Sequence, residues 1–154
     1  MPDPTNDQLC GLTGGRDSRG VTREPPSDRV RVLIVDDDDD FASAMRAALS
    51  ADGRIDVAGI AHDGLEALEL TKSLRPDLVL LDLEMPRMDG YETLRRLNRR
   101  VRKPPVIVLT GVTDLEDLAR AARLHPDALL QKTVDAEAIV PGVVMTLALS
   151  KRAA

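Results

Sequence analysis

The stretch Pro76-Asp77-Leu78-Val79-Leu80-Leu81-Asp82-Leu83-Glu84-Met85-Pro86-Arg87-Met88-Asp89-Gly90 decides how this chain is read. Leu78 to Leu81 are apolar at every position and follow a Pro-Asp pair. That is the pattern of a short strand covered on both faces, the usual state of a central parallel strand. The run ends on one acid, Asp82, and loop chemistry follows. In open α/β sheets, ligand chemistry collects at the carboxyl ends of strands, which makes Asp82 the first candidate functional residue.

On the N-terminal side, Val30-Arg31-Val32-Leu33-Ile34-Val35 has strand length and β-branched character and stops at Asp36. Asp36 to Asp40 are five consecutive acids. Phe41, Ala44, Met45, Ala48 and Leu49 then follow helical spacing, with Asp39 or Asp40 as N-cap and the positive helix end favouring the acids. Asp36 and Asp37, nearest the strand tip, are left for other work. Ile55 to Ile60 alternate as a half-buried strand does, and a helix from Leu65 to about Leu74 closes at Arg75-Pro76. Beyond the opening stretch, a helix is expected over roughly Tyr91 to Arg100, and Val106 to Leu109 form an apolar strand ending on Thr110-Gly111. Asp114 to Leu124 read as helix, Ala128 to Gln131 as a strand ending on Lys132, and Asp135 to Ser150 as the last helix. Pro141-Gly142 inside that helix predicts a kink or a delayed start near Val140.

Five strands alternating with five helices define an α/β fold, a doubly wound five-stranded parallel sheet with helices on both faces. Right-handed crossovers leave few topologies, and the flavodoxin-like order 2-1-3-4-5 is the common one for five strands. It places Asp36-Asp37, Asp82, Thr110 and Lys132 along one edge.

Composition excludes several functions. The chain has 154 residues, enough for one domain and a tail, and its 1% aromatic content is Phe41 and Tyr91 alone. So few rings argue against base stacking or a lipid-interface role. A net charge of −5 argues against direct, sequence-independent nucleic-acid binding. Arg95, Arg96, Arg99, Arg100, Arg102 and Lys103 gather at one helix end and read as a solvated face suited to that end. The single Cys10 and the lack of an apolar run long enough to span a bilayer suit a cytoplasmic protein with no membrane role. Residues 1–29, with four prolines, scattered charge and isolated apolar positions, read as a disordered N-terminal tail; the domain is expected over 30–150, with 151–154 as a C-terminal tail. His62 and His125 lie in turns without metal-ligand spacing.

Three carboxylates on one edge would repel one another unless a cation sits among them. Mg²⁺ suits an all-oxygen set and commonly binds through one or two carboxylates plus phosphate oxygens. A carboxylate can act as nucleophile and form an aspartyl-phosphate, while Lys132 offers positive charge and Thr110 a hydrogen bond. These are the parts that phosphoryl transfer to an aspartate requires.

The pattern resembles the receiver domains of bacterial two-component response regulators. The likeness covers about residues 30–150 and rests on Leu33-Ile34-Val35-Asp36-Asp37, Asp82 with Met85-Pro86-Arg87-Met88-Asp89-Gly90, Thr110 closing the fourth strand, and Lys132 after the fifth. The resemblance implies that Asp82 is the phosphoacceptor, Asp37 a direct Mg²⁺ ligand and Asp36 a ligand through water. It implies that Glu84 gives a backbone carbonyl to the metal, and that Thr110 and Lys132 bind the phosphoryl group. The donor would be a histidine kinase or histidine phosphotransfer protein in a phosphorelay. A downstream protein partner would read the face made by the fourth helix, fifth strand and fifth helix, with homodimerisation left open. The domain would be no enzyme beyond its own Mg²⁺-dependent phosphorylation and dephosphorylation.

The sequence departs from the family pattern at three places. Thr133 stands where many receivers carry a proline in a cis peptide, so a cis bond after Lys132 is not expected. Leu129 occupies the aromatic switch position, leaving the threonine-coupled loop to carry the signal. Gly111 follows Thr110 and should make that loop permissive. With four residues after Ser150, the chain reads as a stand-alone receiver. The alternatives are a phosphorylation-independent adaptor on the same fold and an aspartate-nucleophile phosphohydrolase. The intact acids count against the first, and the lack of a cap domain or obvious substrate pocket counts against the second.

Overall fold

The computed structural model describes residues 28–111, 113–132 and 135–153. Strands and helices alternate along them: β1 (Val30–Val35), α1 (Asp39–Ala51), β2 (Ile55–Ala61), α2 (Gly64–Leu74), β3 (Leu78–Asp82), α3 (Gly90–Asn98), β4 (Val106–Thr110), α4 (Leu115–Ala122), β5 (Ala128–Gln131) and α5 (Val140–Ala153). The five strands form one parallel sheet in the expected order β2-β1-β3-β4-β5.

Successive strand residues point to opposite faces, so the continuous apolar runs supply two cores at once. Val32, Ile34, Leu78, Leu80, Ile107 and Leu109 pack with Ala42, Met45 and Leu49 of α1 and Val143 and Leu147 of α5. Leu33, Val35, Val79, Leu81, Val106 and Val108 pack on the other face with Ala67 of α2, Leu94 and Leu97 of α3 and Ala121 of α4. β3 and β4 are buried at every residue, which is why their sequences show no alternation. The alternation expected in β2 is broken. Its register with β1 shifts after Val57, so that Leu33 pairs with Gly59, and the residues from Val57 to Ile60 are all half-buried. A bulge adds one residue to the strand and resets which side faces the core.

Helices α1 to α4 are each capped by an aspartate. Asp63, Asp89 and Asp114 each accept a main-chain N–H from the first turn of α2, α3 and α4. In α1 the cap is Asp38, which accepts from Asp40 and Phe41, and not Asp39 or Asp40. The Asp38 N–H donates to Asp36 Oδ1 at 2.9 Å, turning the chain directly off β1 so that Asp39 is already helical. Each such cap is worth about 1 kcal/mol.

The last helix and the basic cluster bear on further expectations. The last helix starts late, as the Pro141-Gly142 pair suggests: Ala136–Ile139 form a 3-10 turn and α5 begins at Val140. It continues to Ala153, three residues past the expected helix end at Ser150. The basic cluster at the C-terminal end of α3 is partly engaged. Arg95 and Arg96 both pair with Glu92, and Arg100 donates to the Leu68 carbonyl of α2 at 3.0 Å. Of the proposed tail 1–29, only Asp28 and Arg29 are described, both exposed; Thr133 lies outside the described residues. Among the described residues no peptide bond is cis, and no helix is long and apolar enough to cross a membrane.

Candidate functional site

The topology brings the ends of β1, β3, β4 and β5 side by side at the carboxyl edge. Asp36 and Asp82 are buried, at 1% and 5% exposure, and Asp37 is exposed. Each of these three acids offers a carboxylate oxygen within 4.8 Å of the others. Lys132 follows β5, and its N–H donates to the Thr110 carbonyl at 2.7 Å, which carries the β4–β5 pairing one residue past the strand. Its ammonium lies 2.7 Å from Asp36 Oδ2 and 3.6 Å from Asp82 Oδ2. Thr110 ends β4 at 2% exposure. Asp36, Asp37, Asp82 and Lys132 are thus assembled as the sequence predicted, with Thr110 beside them.

The electrostatics follow from burial. Removal from water pushes the Asp82 carboxyl up to about 6, Asp36 and Asp37 add to the effect, and Lys132 and the Glu84 N–H oppose it. For Lys132, burial disfavours the charge but is outweighed by Asp36, Asp82 and Asp38, so its pKa stands above the ordinary lysine value. Asp36 Oδ2 is buried and, despite the nearby ammonium, has no hydrogen bond of proper alignment. A buried carboxylate oxygen so placed has capacity for a further donor or cation. The donor set is all oxygen, with no thiolate or imidazole, which suits a hard divalent cation.

Glu84 lies on the loop leaving β3. Its N–H points at Asp82 Oδ1 over a long 3.4 Å. The loop is closed at its base by Gly90 N–H donating to the Leu83 carbonyl at 2.9 Å. A Cβ on Gly90 would overlap the Asp82 carbonyl oxygen and the Leu83 main chain, so only glycine allows this approach. Leu129 stands apart from the carboxylates. It is half-buried and, with Thr110, Thr113, Leu118, Leu130 and Gln131, lines a cavity of about 380 Å³.

Several neighbours of the site escaped the sequence reading. Phe41, seen there as a core position of α1, lies under Lys132, with Nζ 4.3 Å from the ring centroid. Tyr91 lies under Arg120 of α4, whose guanidinium carbon is 4.0 Å from its ring centroid. Both rings of this chain therefore carry a cation on one face. Asp63 and Arg87 form an ion pair at 2.8 Å. Their separation of 24 positions gives no periodic signal.

Comparison with known proteins gives the class. The family model for the response regulator receiver domain matches residues 32–143, and the chain belongs to that family, the phosphoacceptor module of two-component systems. It is 40% identical over 105 residues to a protein-glutamate methylesterase/protein-glutamine glutaminase of Methanospirillum hungatei, covering 67% of this chain and 31% of that protein. It is 39% identical over 103 residues to the response regulator MprA of Mycobacterium ulcerans, covering 67% of this chain and 44% of that protein. Among solved structures, the receiver domain of the response regulator NarL from Mycobacterium tuberculosis superposes with a TM-score of 0.74 at 30% identity, covering 79% of this chain and 98% of that one. The chain spans about a third of the length of the first of these relatives, and the match is to its receiver part.

Proposed function

We propose that Asp82 is the phosphoacceptor and that this domain receives its phosphoryl group from a phosphohistidine of a histidine kinase or phosphotransfer protein. The observation that carries the reading is the setting of Asp82: the last residue of β3, buried, 3.6 Å from Lys132, and raised to about 6. Held above the ordinary aspartate range by burial, the Asp82 carboxylate is more basic than an exposed aspartate, which suits it to act as a nucleophile. An Asp82 oxygen bonds to phosphorus as the phosphorus–nitrogen bond to histidine breaks, and the imidazole leaves with the electron pair and takes up a proton.

Asp37, Asp36 through water, Asp82 and the Glu84 carbonyl would hold Mg²⁺, which supplies positive charge to the phosphoryl oxygens when bound. Lys132 turns its ammonium toward the product, and the Thr110 hydroxyl donates one hydrogen bond to it. A charge-assisted hydrogen bond of that kind is worth roughly 1.5–3 kcal/mol, enough to shift a two-state equilibrium about 10- to 150-fold. With Leu129 at the switch position, no ring reports the change, and the movement of Thr110 and its loop passes it to the face of α4, β5 and α5. The setting is cytoplasmic, and the receiver domain occupies residues 30–150.

The test is intact mass after incubation with a small acyl phosphate and Mg²⁺. Wild type is expected to gain one phosphoryl group and Asp82→Asn none. No gain in wild type, or an equal gain in the variant, would sink the reading in favour of a phosphorylation-independent adaptor.

A further inference from the structure

Asp63 is 3% exposed and lies outside the acidic cluster, at the start of α2. One of its carboxylate oxygens caps the helix, accepting the Glu66 N–H at 2.9 Å. The other forms an ion pair with the Arg87 guanidinium at 2.8 Å. Arg87 sits at the tip of the β3–α3 loop with φ 64, a left-handed conformation that costs a non-glycine residue energy and persists only where surroundings enforce it. Next to the ion pair, the Gly64 N–H donates to the Met88 carbonyl at 3.1 Å. A Cβ on Gly64 would overlap Met88 and the Thr93 hydroxyl, so α2 meets this loop at the closest approach a main chain allows. The loop is therefore fastened at three points: Gly90 to Leu83 at its base, Met88 to Gly64, and Arg87 to Asp63 at its tip. Between them lies Glu84, whose main chain adjoins Asp82.

We propose that Asp63, paired with Arg87, is a positioning residue of the phosphoryl-transfer site, holding the β3–α3 loop where the Glu84 main chain can serve the metal beside Asp82. The inference rests on the function proposed above. A helix cap alone would explain the burial of Asp63, but it needs no partner 24 positions away and no strained arginine. Capping and clamping use different oxygens and can be separated. Asp63→Asn keeps an oxygen for the Glu66 N–H but loses the charge that holds Arg87, and Arg87→Ala removes the other partner while leaving the cap intact.

Two readouts decide the matter. Amide exchange at Gly64 reports the loop contact and at Glu66 the cap; Mg²⁺ affinity, measured by titration calorimetry, reports the site. In both variants we expect faster exchange at Gly64, unchanged exchange at Glu66, and Mg²⁺ binding weakened about tenfold, the scale seen when the outer partners of a metal site are removed. Unchanged Gly64 exchange and Mg²⁺ affinity overturn the proposal. So does faster exchange with unchanged Mg²⁺ affinity, since Asp63 would then serve structure alone. If wild type itself takes no phosphoryl group and binds no Mg²⁺, the function reading fails and the positioning role fails with it. If wild type is phosphorylated and the variants match it in both readouts, the clamp alone fails.

Discussion

β3 and β4 are neighbours of equal length, each buried at every residue, yet the loops that leave them are built on opposite plans. After Asp82 the chain is held by Gly90, Gly64 and Asp63, and Leu83 is 1% exposed. After Thr110 the chain emerges at Gly111, where a Cβ would meet nothing within 4 Å, and Thr113, Asp114 and Leu115 are exposed. One strand end carries a buried charge before a fastened loop; the other carries a buried neutral hydroxyl, with open space at the residue that follows it. The chemistry proposed here divides the same way. The group that must meet phosphorus at a defined distance is on the fixed side, and the group that must follow the product is on the side with room to move.

The contrast breaks most readily at its tightest point. Gly90→Ala should cost about 3 kcal/mol in urea denaturation, because the added methyl overlaps main-chain atoms that cannot rotate away. A loss below about 1 kcal/mol would mean that the loop base yields, and the two loops would then differ less than their contacts suggest.

A second measurement sharpens the electrostatic side. Asp82 has a folded pKa of about 6 against an ordinary 3.8, so the folded protein binds this proton more tightly than the unfolded chain. In magnesium-free buffer, stability should therefore rise as pH falls from 6 to about 4, by about 2–3 kcal/mol in total, and be lost as pH rises through 6. Asp82→Asn should lack that increment. Equal slopes in the two proteins would show that the carboxyl is better solvated than its burial implies.

The smallest effect is expected on the open side. Gly111→Ala should leave stability within about 0.5 kcal/mol of wild type, or raise it slightly by restricting the unfolded chain. A loss as large as that of Gly90→Ala would erase the distinction between the two loops.

Much of this architecture was legible in the sequence because buried parallel strands leave a local signature. The runs Leu78–Leu81 and Val106–Leu109 are apolar throughout, and each ends on the residue that reaches the site. Once strand order follows from crossover handedness, Asp36, Asp37, Asp82, Thr110 and Lys132 fall on one edge without side-chain detail. What stayed hidden depends on details that sequence does not encode locally. Five adjacent aspartates are equivalent as caps until the exit angle of β1 selects Asp38. The bulge in β2 depends on its pairing with β1, and the Asp63–Arg87 pair on how α2 docks against a loop of its neighbour.

The contact between Tyr91 and Arg120 has a practical consequence. The chain holds no tryptophan and one tyrosine, so its tyrosine emission comes from a single ring. That ring opens α3 directly after the fastened loop, is 7% exposed, and lies beneath an arginine of α4. The protein thus carries its own optical probe at the junction between the fixed and the open halves of its signalling edge. A shift of α4 away from α3 would register as a change in tyrosine fluorescence, without any label.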